Sequence, residues 1–414
     1  MRIRTRGFGV LAGFALIVSA CSSSATAVPV ATAAPTTAPT TAASTAPAAT
    51  ASAAPSSAAT PAPSFAQMPN LKIGVVTDIG TLDDKGYNEF SFKGAQDGAI
   101  AIGVTDPVPS IVPKDASEYA ADIQQFVSQK YDVIVTVGFN LTTATVAAAH
   151  ANPKIRFVGV DQSPECITPT GAPDAAFACK GVPATALPNY TSLYFAEDQA
   201  GYLAGIVAAY ADKGAPTPTG VIGAIGGTTL CASCVRYIQG YTLGAQSVNS
   251  AIIVKSAYVT HDFSNAAFND PAGGKAFAQT FIQANKPDVL FQVAGKTGNG
   301  VIEAACAANI YGIGVDVDQW LSLGAPANAC IITSAEKHVE SAVAQAIESI
   351  AGGTLAAGDI LFNAKNDGIS AADFHDKASL FGPAVTTALQ TALAAMQAGT
   401  LQTCPTTGCG VYAP

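Results

Sequence analysis

Four carboxylates, Asp78, Asp83, Asp84 and Glu89, crowd into twelve residues of 75-VVTDIGTLDDKGYNEF-90, directly after an apolar run. Such a cluster can bind a metal ion, perform acid/base chemistry, or accept hydrogen bonds from the hydroxyls of a polar ligand. The metal reading fails on spacing. Counting from Asp83, the third position of an EF-hand loop is Lys85, a cation where an oxygen ligand is required. The four histidines, His150, His261, His338 and His375, show neither HxxxH nor HxH spacing, which gives zinc little support.

Other chemical motifs are also incomplete. In 290-LFQVAGKTG-298 the GKT resembles the end of a phosphate-binding loop, but Leu290 stands where its first glycine belongs. In 312-GIGVDV-317, Val317 replaces the third glycine of a dinucleotide fingerprint. There is no GxSxG elbow. Paired carboxylates for hydrolysis stay open, because their separation is not legible in a sequence. Holding a polar ligand is the reading that remains best supported, and no enzymatic activity or cofactor is expected.

Apolar runs rich in Val and Ile alternate with helical patterns. Strand candidates are 71-LKIGVVT-77, 132-DVIVTVG-138, 155-IRFVGVD-161, 220-GVIGAIG-226, 251-AIIVKSAYV-259, 288-DVLFQVAG-295, 311-YGIGVD-316 and 329-ACIITS-334. Between them lie amphipathic segments at 117–129, 197–213, 274–286 and 338–353; in the second, Leu203, Val207 and Tyr210 recur at helical spacing. Continuous apolar strands, each followed by a helix, predict parallel sheets buried on both faces. Their number predicts two such sheets in series, an α/β architecture of two Rossmann-like lobes.

In open α/β sheets the ligand sits beyond the carboxyl ends of the strands. Those ends carry Asp78, Phe139 with Asn140, Asp161, Gly295, Asp316, and Ser334 with Lys337. A single aspartate at such a junction often caps the next helix. Three of them, with a lysine and aromatics, are better explained by a shared cleft.

The termini and composition bound the setting. Residues 1-MRIRTRGFGVLAGFALIVSAC-21 join three arginines to an apolar run of about a dozen residues, the layout of a secretory signal. Val18-Ser19-Ala20-Cys21 resembles a lipobox, in which Cys21 is lipidated; ordinary cleavage and a retained anchor are the alternatives. From Ser22 to about Asn70 the chain is almost wholly Ala, Thr, Pro and Ser, with no charge between Arg6 and Lys72. Such a composition cannot offset the entropy of folding, so a disordered tether is expected. The remaining 345 or so residues suit two domains better than one. Net charge is −9, or −12 once the three leader arginines are removed, with no basic cluster, which argues against nucleic acid.

Of nine cysteines, eight remain beside Cys21, an even number in an exported chain. They lie as near neighbours: Cys166 with Cys179, Cys231 with Cys234, Cys306 with Cys330, and Cys404 with Cys409. Four local disulfides are expected. The 231-CASC-234 pair has a redox alternative, since it may open a helix, where a thiolate is stabilised.

At family level, 77-TDIGTLDDKGYNEFSFKG-94 resembles the signature TDxGxxDDKSFNxxxxxG of the BMP/PnrA-like basic membrane lipoproteins. Further similar stretches follow in order: 196-AEDQAGYLAG-205, 223-GAIGG-227, 239-QGYTLGA-245, 294-AGKTGNGVIEAA-305, 312-GIGVDVDQ-319 and 333-TSAEK-337. The resemblance spans roughly residues 70–400. It implies the type I periplasmic-binding-protein fold, two lobes joined by three crossing segments, and the role of solute receptor for an ABC importer. The boundaries expected on that basis are 1–20 signal and 21–69 lipidated cysteine and tether. Lobe 1 is then 70–192 plus about 330–365, and lobe 2 is 193–329 plus about 366–414.

Carried over position by position, the resemblance assigns a ligand site. Asp78 matches the aspartate of TDxG, Tyr87 and Asn88 stand at its Phe-Asn, and Phe139 follows the third strand. Asp161 is placed to meet a base, Phe268 to cover it, and Asp316 to hold a ribose, with Gly295 and Lys337 as remaining polar contacts. The physics is compatible: an ionised Asp accepts two vicinal hydroxyls, and two aromatics can sandwich a flat base. Three departures stand out. Tyr87 adds a hydroxyl that needs a partner, an insertion at about 166–189 adjoins the Asp161 loop, and the cysteines lie outside the family pattern.

The resulting expectation is a monomeric receptor, lipid-anchored on the outer face of the cell membrane, that delivers a purine nucleoside to permease subunits. A receptor for riboflavin, a sugar or a signal molecule is the alternative on the same scaffold. A nucleoside hydrolase and a non-transporting sensor subunit are rivals of other classes.

Overall fold

A computed structural model gives the structure of the protein and describes residues 65–162, 167–170, 172, 181 and 183–413. The expected signal, the lipidation site Cys21 and nearly all of the tether lie outside the described residues. So do Cys166 and Cys179, and the disulfide expected between Cys166 and Cys179 is therefore not among those the structure shows.

The first lobe begins with β1 (Ile73–Thr77), α1 (Tyr87–Ala101), β2 (Ser110–Ile111) and α2 (Tyr119–Ser128). It continues with β3 (Val133–Val137), α3 (Thr142–Ala151), β4 (Arg156–Val160), α4 (Pro183–Ala186) and β5 (Tyr190–Phe195). The second lobe starts with α5 (Glu197–Gly214), β6 (Val221–Thr228), α6 (Ala232–Val248), β7 (Ile253–Thr260) and α7 (Pro271–Asn285). After these come β8 (Val289–Val293), α8 (Gly295–Ala307), β9 (Tyr311–Asp316), α9 (Gln319–Leu323) and β10 (Ile331–Lys337). The chain returns to the first lobe for α10 (Val339–Ala351) and β11 (Gly358–Phe362), then ends in the second with β12 (Ile369–Ala371) and α11 (Pro383–Ala398).

Each lobe holds a six-stranded sheet of the same strand order, β2-β1-β3-β4-β5-β11 in one and β7-β6-β8-β9-β10-β12 in the other. All pairings are parallel except β12 against β10, an antiparallel edge. The apolar runs explain this arrangement. Every residue of β1, β3 and β8 is buried, as a sheet covered on both sides requires. Val75, Val135 and Val158 pack toward α1 and α10, whereas Val76, Ile134 and Phe157 pack toward α2 and α3. Each such apolar side chain, fully buried, contributes ~1.5–3 kcal/mol.

Several strands depart from the sequence expectation. The strands β2, β5, β11 and β12 carry no continuous aliphatic run, and β5 buries Thr191 and Ser192 by hydrogen-bonding them to Ala356 O (2.7 Å) and Gln162 O (2.6 Å). The expected boundaries also need correction. β5 runs to Phe195 in the first sheet, so the first crossing falls at Ala196 rather than 192. β10 pairs with β9 in the second sheet, so the first lobe resumes at α10 and not near residue 330. The third crossing lies between Phe362 and Ile369.

One helix pair positions much of the site. On α5, Gly201 and Gly205 abut the backbone of Tyr237 and Tyr241, while on α6 Gly240 and Gly244 abut Asp198 and Tyr202. A Cβ at any of the four would collide with the opposing backbone, so the helices pack at the closest approach glycine allows. This fixes the height of α6, and with it Tyr237, over the second sheet.

Candidate functional site

In both sheets the chain reverses its direction of growth between the first and third strands, which opens a crevice at their carboxyl ends. Asp78 follows β1, its N–H donating to Val137 O of β3 at 2.9 Å. The loop beyond it shares out the opening carboxylates. Asp84, buried, accepts from the backbone N–H of Gly86 (2.9 Å), Asn88 (2.8 Å) and Glu89 (3.1 Å), which organises the loop and caps α1. Asp83 accepts from Lys296 Nζ of the other lobe (2.7 Å) and from Thr81 Oγ1 (2.5 Å), and the lysine contact holds its pKa below the usual carboxylate value. Glu89 pairs with Lys85 along the surface (3.3 Å). Asp78 and Asp84 both line the cavity, but both Asp84 oxygens are taken up by Gly86, Asn88 and Glu89, which leaves Asp78 as the ligand-facing candidate.

That cavity, about 590 Å³ of atom-free space partly open to solvent, lies at the carboxyl ends of both sheets. The structure brings all nine sequence-assigned positions to it. Asp78, Tyr87, Asn88, Phe139 and Asp161 come from the first lobe; Phe268, Gly295, Asp316 and Lys337 come from the second. Asp161 ends the β4 run and Asp316 closes β9 at the equivalent place, and both adopt positive φ (+56° and +66°). This shared backbone turn aims two aspartates from opposite lobes at one point.

Between them stands Lys337. Its Nζ lies 2.5 Å from Asp161 Oδ2 and 3.4 Å from Asp316 Oδ1, and it sits over the rings of Tyr87 (4.7 Å) and Phe195 (5.3 Å). Burial works against the ammonium, but the two carboxylates outweigh it and raise its pKa. Asp161 is pushed up to about 6 by burial, with Lys337 opposing the rise. Its Oδ1 is buried and makes no hydrogen bond among the described residues. Asp78 is pushed up to about 8, chiefly by burial, although the N–H of Asn140 favours its charged form. At neutral pH it is therefore largely a neutral acid that can donate as well as accept.

The Tyr87 hydroxyl finds its partner in Val160 O at 3.1 Å. Phe139 and Phe268 meet edge to face, their ring centroids 6.5 Å apart and their planes at 75°. Rings in direct contact favour this edge-to-face geometry, and Phe263 packs on Phe139 from the same loop as Phe268 (5.5 Å).

Some lining residues escape sequence reasoning. Tyr237 donates to Asp316 Oδ1 at 3.1 Å, and it lies one helical turn after Cys234, which also lines the cavity. Behind it, Arg236 Nε bonds Glu197 Oε2 at 2.7 Å, and Glu197 is fully buried. Burial raises Glu197, yet Arg236 dominates and its pKa ends below the ordinary value. The only signal is position: Glu197 opens the 196-AEDQAGYLAG-205 stretch and Arg236 sits inside CASCVRY. Two more contacts clasp the lobes, Asn299 Nδ2 to Asp84 O (2.9 Å) and Ser322 Oγ to Lys85 O (2.7 Å).

Among the described residues no group of three or more His, Cys, Asp or Glu could hold a metal ion. Disulfides join Cys231–Cys234, Cys306–Cys330 and Cys404–Cys409, the near-neighbour pairings expected for these six. The expectation of four disulfides is thus met for three, since Cys166 and Cys179 fall outside the described residues. No helix among the described residues is long and apolar enough to cross a membrane.

Comparison with known proteins agrees with this geometry. Residues 71–380 match the family model "Bmp: ABC transporter substrate-binding protein PnrA-like". The chain is 30% identical over 316 residues to the ABC transporter nucleoside-binding protein BmpA of Lactococcus lactis subsp. cremoris, covering 72% of this chain and 81% of that one. It is 31% identical over 273 residues to basic membrane protein D of Borreliella burgdorferi, covering 65% and 68%. In fold it is similar to an ABC transporter solute-binding protein of Aeropyrum pernix K1, with a TM-score of 0.66 at 22% identity over 80% of this chain and 92% of that one. This chain therefore belongs to the Bmp family of PnrA-like ABC transporter substrate-binding proteins.

Proposed function

We propose that this substrate-binding protein is an extracytoplasmic receptor, anchored by a lipid on Cys21, that captures a purine nucleoside and passes it to permease subunits. The observation carrying this reading is the convergence of Asp78, Asp161 and Asp316 with Phe139 and Phe268 on one interlobe cavity. Asp161 and Asp316 as acceptors suit the N–H groups of a purine and the hydroxyls of a ribose, and apolar rings suit the faces of the base. Asp316, shared with Tyr237 and Lys337, is the ribose contact in this reading. Asp161 Oδ1 meets the base, while neutral Asp78 offers a donor to a ring nitrogen. Lys337 offsets part of the negative charge of Asp161 and Asp316, which is compatible with an uncharged guest.

The nucleoside named for the Lactococcus relative supports the same class. Closing the lobes over such a guest would bury it and shape a surface for the permease. Isothermal titration with adenosine, guanosine, inosine, riboflavin and D-ribose tests the reading. Heat with at least one purine nucleoside, and none with ribose alone, is expected; riboflavin binding alone would replace the ligand class. Release of free base during the incubation would instead identify a hydrolase.

A further inference from the structure

We propose that the Cys231–Cys234 disulfide is a functional wall of the binding cavity, and that it makes ligand affinity sensitive to small dithiol reductants. This rests on the nucleoside reading and adds to it the element that shapes one face of the site. Cys231, Ser233 and Cys234 all line the cavity, so three of the four residues in CASC touch the space a ligand would fill. Cys231 and Cys234 are only 3% and 4% exposed.

The bridge also holds the helix that carries other site groups. Cys231 is the N-cap of α6, and its Sγ accepts the Cys234 N–H at 3.1 Å. The same turn leads into Arg236, paired with buried Glu197, and Tyr237, bonded to Asp316. A covalent link across this first turn keeps Ser233 and Tyr237 in register with the carboxylates. Its polarisable sulfur surface is suited to packing on a flat ring.

A purely structural staple would have a different location and a different effect. Cys306–Cys330 spans 24 residues, so it constrains the unfolded chain more than a link across three. Neither it nor Cys404–Cys409 in the C-terminal tail lines the cavity. The bridge at 231–234 therefore adds less to global stability and more to local order at the site. On reduction a dithiol supplies two electrons and two protons; the Sγ–Sγ bond is replaced by two thiols, and the reductant leaves as its own disulfide. The first turn of α6 is then free to relax.

The test compares the oxidised chain with C231S/C234S, C306S/C330S and C404S/C409S, titrated with inosine, guanosine and adenosine. A loss of about tenfold in affinity (~1.4 kcal/mol) confined to C231S/C234S, with a changed preference among the three nucleosides, is expected. Equal affinities in all variants, or equal losses in all three, would overturn the proposal. If the unaltered chain binds none of the three nucleosides, the nucleoside reading fails and the wall is judged without ligand. Dithiothreitol reduction is then followed by alkylation and peptide mass spectrometry in the unaltered chain and in K296M/S322A, which loses contacts between the lobes. Faster reduction at 231–234 but not at 404–409 in that variant supports the cavity position; equal rates overturn it.

Discussion

Lys337 Nζ and Asp161 Oδ2 meet at 2.5 Å across the two lobes, both nearly fully buried. Removing one member of a buried pair leaves an uncompensated charge, which typically costs ~3–5 kcal/mol. Lys337→Met is therefore expected to lower unfolding stability by that order and to abolish nucleoside binding, measured by urea titration and calorimetry. Stability within about 1 kcal/mol of the unaltered chain would show that the pair is not energetically coupled.

The role proposed for Asp316 concerns the sugar. A hydrogen bond to a charged group is worth ~1.5–3 kcal/mol, so Asp316→Asn should weaken inosine binding by about 10- to 100-fold. The same substitution should change 2′,3′-dideoxyinosine binding much less, because that ligand lacks the hydroxyls. Equal losses for both ligands would place Asp316 elsewhere.

Asp78 makes stability depend on pH with a defined sign. Its pKa is raised from 3.8 to about 8 in the folded chain, so the native state binds more protons between those values. The stability contributed by Asp78 should be fully present below pH 3.8 and decline as pH rises toward about 8, a window set by this group. Asp78→Asn, a neutral mimic, should flatten that decline while retaining binding near neutrality. Urea midpoints of both proteins from about pH 5 to 9 check this, and parallel curves would contradict it.

Gly138 holds Asp78 in place from the end of β3. Its φ is +110°, and a Cβ there would overlap the Asp78 carboxyl. Gly138→Ala should cost ~1–3 kcal/mol of stability and displace the acid, reducing nucleoside affinity. Gly382→Ala, with nothing within 4 Å of its Cβ position, is the control and should leave binding unchanged.

The parts of this architecture legible in the sequence are those written in apolar runs. Val-rich β1, β3 and β8 announce a covered parallel sheet, and their ends place Asp78, Phe139 and Gly295 on one rim. What stays hidden depends on partners distant in the chain. The strand β5 is polar yet buried, because Gln162 and Ala356 satisfy its hydroxyls. Glu197 and Arg236, 39 residues apart, form an ion pair that no local pattern encodes. Lys296 of the GKT stretch, a failed phosphate motif, instead reaches Asp83 in the opposite lobe. The crossing after Lys337 is easily misplaced because CIITS reads equally well as a strand of either sheet.

The most direct measurement is a crystal structure of the oxidised protein grown with whichever purine nucleoside gives heat on titration. The account expects the base beside Asp161 Oδ1 and an aromatic ring, with the sugar hydroxyls within hydrogen-bond distance of Asp316. A nucleoside bound outside the cavity, or one held with no aspartate contact, would contradict it.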